Sequence, residues 1–161
     1  VEQELQDAFG DEPVDPTRVN ELRYLDACIK ESMRLRPIAP AVSRTLTREL
    51  EVGGHGIPSG TIVWASIYLT QRRPDVWDEP AVFRPERFEG RHMTHAELFP
   101  FGGGARRCLG ALFATFEMRI VLAEVFHRYA LRLEGPPPRP TFAGITMSPG
   151  DGIPVTASLR R

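Results

Sequence analysis

The 161-residue sequence has a single lysine, Lys30, so nearly all of its 20 basic side chains are arginines, and 21 acidic ones offset them. With a net charge of −1 there is no basic excess for a nucleic acid, and no nucleic-acid partner is expected. Cysteine is scarce too. Cys28 and Cys108 are too few for a disulfide framework and lack the paired spacing of a zinc site, which points to a reducing compartment. No apolar run is long enough to cross a membrane and no signal-peptide pattern is present. The expectation is a soluble, cytoplasmic protein, with the matter of an N-terminal anchor open because Val1 reads as mid-helix. What the chain has in abundance is punctuation: 15 prolines and 14 glycines without a period, which makes much of it coil between short elements.

Val1 to Phe9 reads as the last turns of a helix ending at Gly10. A second helix is expected over 17–36, where Leu22, Leu25, Ile29 and Met33 recur at spacings of three and four until Pro37 stops it. Cys28, on its apolar side, reads as a core residue. Alternation with β-branched and aromatic residues predicts a small antiparallel sheet over 49–67, turning at Gly53-Gly54-His55-Gly56 and Pro58-Ser59-Gly60. Prolines 74, 80 and 85 make 70–100 a long coil, which needs a supporting task. Apolar residues spread around most of the circumference predict a helix over 109–128 that is buried nearly all round. The tail, 129–161, reads as a hairpin with Pro149-Gly150-Asp151-Gly152 at its tip. The fold class is mainly α with small antiparallel β-sheets.

The densest chemical signal is Phe101-Gly-Gly-Gly-Ala-Arg-Arg-Cys-Leu-Gly110, a glycine-rich loop with one cysteine just before the last helix. A helix start offers unpaired N–H groups and the positive end of the macrodipole, which keep a thiolate ionised. The glycines let the backbone approach something large and flat. On the second helix, Glu31 and Arg34 share a face at i and i+3, and Pro85-Glu-Arg-Phe88 supplies a further arginine, Arg87.

The order and spacing of Glu31-Ser-Met-Arg34, Pro85-Glu-Arg-Phe88 and the cysteine loop resemble the C-terminal, proximal portion of the cytochrome P-450 superfamily, over essentially the whole chain. The resemblance implies haem b (iron protoporphyrin IX) with Cys108 as the axial thiolate ligand to iron, and Gly110 and Phe101 beside it. It implies Arg106 and Arg44 as ligands of the haem propionates, and Glu31, Arg34 and Arg87 as a buried structural triad. Ile38, Ala41, Val42, Ile145 and Thr146 resemble substrate-lining positions. The implied activity is a monooxygenase that inserts one oxygen atom of O2 into a small lipophilic substrate, with a ferredoxin or flavoprotein reductase as electron donor. Arg72, Arg73 and Arg107 suggest a basic surface for an acidic donor.

The chain departs from the family pattern at Gln71, where many relatives carry histidine, and at Arg73, where an acidic or amide residue is common; neither position is expected to carry chemistry. The distal acidic-residue/Thr pair of the family has no match here. The chain is therefore read as a C-terminal fragment that does not turn over substrate alone, with a non-catalytic haem-binding or purely structural piece as the alternative. A competing metal reading takes His92 and His95 with Cys108 as a three-ligand non-haem site.

Overall fold

The computed structural model describes residues 1–160. Helix α1 (Glu2–Phe9) ends at Gly10, whose φ of 57° lies in the left-handed region that glycine enters without a Cβ penalty. Helix α2 (Arg23–Leu35) is shorter than periodicity predicts. The expected start at 17 is corrected for a local reason. The Asp15 carboxylate accepts the Thr17 N–H at 2.8 Å and its hydroxyl at 2.7 Å, and Val19–Glu21 closes one 3-10 turn, so side-chain bonding outcompetes the helix there. The α2 N-terminus is capped from outside instead: Glu4 of α1 accepts the Tyr24 N–H at 2.7 Å and the Leu25 N–H at 2.9 Å.

Strands β1 (Ala41–Thr45) and β4 (Ile62–Ser66) pair antiparallel, Arg44 opposite Val63, and enclose the shorter pair of β2 (Leu50–Val52) and β3 (His55–Ile57). The sheet region therefore begins at Ala41 rather than at 49. The Ala41-Val-Ser-Arg-Thr45 run finds a partner only in residues about twenty positions later, which local alternation does not reveal. A short helix α3 (Ile67–Thr70) follows, its first turn held by the Ser66 hydroxyl accepting the Leu69 N–H at 3.1 Å. Past the coil and a 3-10 turn at Pro85–Phe88, helix α4 spans Ala111–Arg128.

The tail is also nested: β5 (Tyr129–Leu133) pairs with β8 (Val155–Leu159), and between them β6 (Pro140–Ala143) pairs with β7 (Thr146–Pro149). The turn of the inner pair is Gly144-Ile145, with Gly144 at φ 63°. Pro149-Gly150-Asp151-Gly152 is thus not a hairpin tip but the link between the two pairs.

The main core joins α1, α2 and α4 through Leu5, Phe9, Leu22, Leu25, Ile29 and Ala123. Each large side chain here contributes about 1.5–3 kcal/mol by leaving water. A second, smaller cluster sets Ala27 of α2 on Trp77 and Phe88 of the coil. The expectation that the last helix is buried all round fails. Leu112 is 80 % and Phe113 70 % exposed, Phe116 and Val121 are also exposed, and Leu109 just before the helix is 100 % exposed. An all-round apolar helix is built to be covered on every side, and among the described residues only the α1/α2 side is covered.

Candidate functional site

Two constructions draw on residues of α2. The first is an ion-pair network beneath the coil. The Glu31 carboxylate accepts Arg34 in a fork, Nε at 2.6 Å and Nη2 at 2.8 Å, then the Arg84 backbone N–H at 2.9 Å and Arg87 Nε at 3.1 Å. The side chains of Glu31 and Arg34 are fully buried and that of Arg87 is 6 % exposed. Burial pushes the Glu31 carboxyl up, but the Arg34 and Arg84 hydrogen bonds and the two guanidinium charges outweigh it and hold the group below the usual carboxylate range. Arg34 spends its remaining donors on the carbonyls of Gln71, Pro80 and Val82, and Arg87 reaches those of Asp78, Glu79 and Val82. The guanidinium carbons of Arg34 and Arg91 stand 4.9 and 5.3 Å from the centre of the buried Trp77 ring, adding cation–π attraction. The long coil is thereby stapled to α2.

The second construction is the cysteine loop. Cys108 donates its N–H to the Phe101 carbonyl at 2.9 Å, closing 101–108 into a ring, and its own carbonyl accepts the Ala111 N–H at the start of α4. Gly102 and Gly104 have φ of 71° and 65°, and a side chain on Gly102 would meet only Val42, at 3.9 Å. Cys108 is exposed, and it opens into a cleft of about 500 Å³. Ile38, Val42, Phe101, Arg106 and Met118 share its walls with Cys108.

Of the residues singled out in the sequence, Cys108, Phe101, Arg106, Ile38 and Val42 meet at this cleft, while Glu31, Arg34 and Arg87 meet in the buried network. Gly110 immediately precedes α4, and a Cβ there would lie 4.0 Å from the Cys108 sulfur. Arg44 is not on the cleft wall: it is exposed and donates to the Ser43 carbonyl at 2.7 Å. It does share a face of β1 with Val42, two residues away. Ala41 points to the other face. Ile145 sits exposed at the turn of the inner tail hairpin with Thr146 beside it, and neither lines the cleft. Their hairpin is nonetheless tied to it, because Met147 donates its N–H to the Ile38 carbonyl at 2.7 Å.

His92 and His95 are exposed on the coil, and the described residues hold no group of three or more His, Cys, Asp or Glu side chains placed to share an ion. The expected basic surface is also reduced. Arg72 is half-buried, donating to the Leu35 carbonyl and stacking 3.7 Å from the Tyr68 ring centre, and Arg73 is paired with Asp75; Arg107 alone of the three is exposed without such engagement.

Gln71, set aside on sequence grounds, is fully buried and bonds to the end of α2 and to Phe99, two residues before the cysteine loop. A glutamine at the end of a short apolar helix beside an arginine pair carries no pattern that would have marked it.

Comparison with known proteins gives a consistent picture. The family model described as Cytochrome P450 matches residues 1–153. A cytochrome P450 135B1 of Mycobacterium tuberculosis is 44% identical over 108 residues, covering 67% of this chain and 23% of that protein. Tabersonine 6,7-epoxidase isoform 1 of Catharanthus roseus is 37% identical over 126 residues, 76% of this chain and 25% of the relative. Cytochrome P450 3A29 of Sus scrofa is 32% identical over 136 residues, 82% of this chain and 27% of the relative. The chain thus spans about a quarter of the length of the relatives it matches. With a mainly helical fold, small antiparallel sheets and a family match over nearly its entire length, the chain belongs to the cytochrome P450 family.

Proposed function

We propose that this chain forms the thiolate side of a haem b monooxygenase site, in which Cys108 would supply the sulfur ligand to the iron. The observation that carries the reading is the exposed Cys108 thiol on a closed glycine loop, opening into an apolar cleft with one arginine on its wall. The donor set suits the group: one soft thiolate for iron and one guanidinium for a carboxylate, on a lining that is otherwise apolar apart from Glu117. The space suits it too, because Gly102 and Gly104 carry no side chain where a flat macrocycle would lie against the loop, and Leu109, Leu112 and Phe113 present uncovered apolar surface just after the loop and on the first turn of α4.

Haem ligated by a thiolate supplies O–O bond cleavage and oxygen insertion into C–H bonds. The residues of this chain do the rest. The Cys108 carbonyl accepts the Ala111 N–H, which ties the end of the loop to the start of α4. The ring closed by the Cys108 N–H and the Phe101 carbonyl fixes where that sulfur points. Arg106 would hold one propionate, and Arg44, off the cleft wall but on the face of β1 that carries Val42, would take the second. Ile38 and Val42 form one wall for a small lipophilic substrate and exclude water from it, and Ala41, Ile145 and Thr146, which do not line the cleft here, would extend that wall. The Glu31–Arg34–Arg87 network does no chemistry; it holds the coil to α2.

Electrons come from a ferredoxin or flavoprotein docking near Arg107, and the protein works in the cytoplasm. A second reading is favoured by the uncovered α4 face and by the chain's quarter share of its relatives' length: these residues alone bind haem, or only support its site, without turnover. Isotopically labelled O2 decides between them. The monooxygenase reading expects one labelled oxygen atom in the hydroxylated or epoxidised product of the full-length gene product, and none from residues 1–161 alone; unlabelled product from the full-length protein overturns it.

A further inference from the structure

The C-terminal end of α2 leaves three carbonyls without helical partners, those of Met33, Arg34 and Leu35. The Ser32 carbonyl accepts the Arg36 N–H at 2.7 Å. The Met33 and Arg34 carbonyls are taken by one side chain: Gln71 Nε2 donates to them at 3.0 and 3.1 Å. Arg72 donates to the Leu35 carbonyl. The helix that carries Glu31 and Arg34 is therefore capped from α3 and the residues that follow it.

The same amide has a second end. Gln71 Oε1 accepts the Phe99 N–H at 3.1 Å, and the Phe99 carbonyl in turn accepts the Gly102 N–H at 2.8 Å. Two residues beyond Phe99, the Phe101 carbonyl accepts the Cys108 N–H. The Gln71 backbone carbonyl also takes Arg34 Nη1 at 2.8 Å. Hydrogen bonds joined by short stretches of backbone thus run from the buried ion pair through Gln71 to Cys108. A side chain of this length with two donors and an acceptor, fully buried with every hydrogen-bonding atom used, has little freedom to shift.

We propose that Gln71 is a positioning residue for the cysteine ligand: it sets the distance between α2 and the cysteine loop, and so keeps the Cys108 sulfur in place as a thiolate on the iron. This rests on the haem-thiolate reading above, and the experiment separates the two. The ferrous carbon-monoxide complex is formed in the full-length, haem-loaded protein and in Gln71→Met and Gln71→Asn. The readout is the ratio of thiolate-type to non-thiolate Soret absorbance per bound haem. Methionine keeps the length without the amide, leaving the Phe99 N–H and two carbonyls without partners; asparagine keeps the amide but is one methylene too short to span both ends.

The expected result is a thiolate-type band in the wild type, and a ratio lowered by about tenfold or more in both variants, as the loss of buried hydrogen bonds implies. A residue that only stabilises the fold would lower yield or melting temperature and leave that ratio unchanged in the molecules that hold haem, and this result overturns the proposal. Where Gln71→Met does not accumulate with haem, Gln71→Asn decides by the same ratio. A wild type without a thiolate-type band instead overturns the haem-thiolate reading itself.

Discussion

Replacing Glu31 with glutamine changes one oxygen to an NH2 group and removes one charge, yet four donors converge on that carboxylate. Glutamine offers a single acceptor, and its amide hydrogens would face the guanidinium N–H groups of Arg34. Two arginines, one fully buried and one nearly so, lose their counter-ion. Breaking a buried pair from one side costs about 3–5 kcal/mol, because the desolvated charge left behind has no compensation. Against a typical total stability of about 5–15 kcal/mol, that is roughly a fifth or more. At about 2–4 °C per kcal/mol for a chain of this size, the melting temperature should fall by roughly 6–20 °C. The assay is thermal unfolding followed together with haem content, because Arg34 also holds Gln71, whose side chain bonds to Phe99 just before the cysteine loop. Glu21→Gln is the control: it removes the exposed Arg18–Glu21 pair, both side chains more than 40 % accessible, and should leave the melting temperature unmoved. A drop below about 3 °C for Glu31→Gln, with haem retained, would refute the reasoning, since such a loss is that of a solvent-screened pair.

The Glu31 and Asp26 carboxyls are both held low in the fold, in each case with burial opposing and cationic partners prevailing: Arg34 for Glu31, Lys30 and Arg119 for Asp26. Their contribution is present above the unfolded values of roughly 4 and is lost as pH falls through the lower folded values. Denaturant midpoints should therefore decline below about pH 4, less steeply in Glu31→Gln; a flat profile down to pH 3 would contradict this. Gly102→Ala places a side chain at φ 71° with no serious clash, so its cost should be backbone strain alone, about 1–2 kcal/mol by chemical denaturation. Arg106→Ala should weaken haem retention about tenfold or more, read by transfer of haem to an acceptor protein, because a charge-assisted bond to a propionate is lost. Arg107→Glu should slow reduction by an acidic electron donor and flatten its salt dependence; unchanged kinetics would remove Arg107 from the docking surface.

Much of the site could be read in the sequence because its chemistry is local. The cysteine loop is ten consecutive residues, and the Glu31–Arg34 pair follows from helical spacing. What escaped was set by distant partners. The α2 helix starts at Arg23 rather than 17 because Asp15 and Glu4 dictate its entry, and β1 exists because Ile62–Ser66 return to pair with it. The composition of α4 was read as a buried helix; composition tells what a surface is built to meet, not whether that partner lies within the same residues. Gln71 escaped for the opposite reason. Its value lies in three backbone groups on two other segments, Met33, Arg34 and Phe99, and backbone groups leave no residue-specific trace.

The central claim is that Cys108 supplies a thiolate to haem iron. Its most direct test is the absorption spectrum of the ferrous carbon-monoxide complex of the full-length protein beside that of Cys108→Ser. A thiolate-type Soret band in the wild type, absent from the serine variant, is the predicted result; a thiolate-type band that survives the substitution would contradict it.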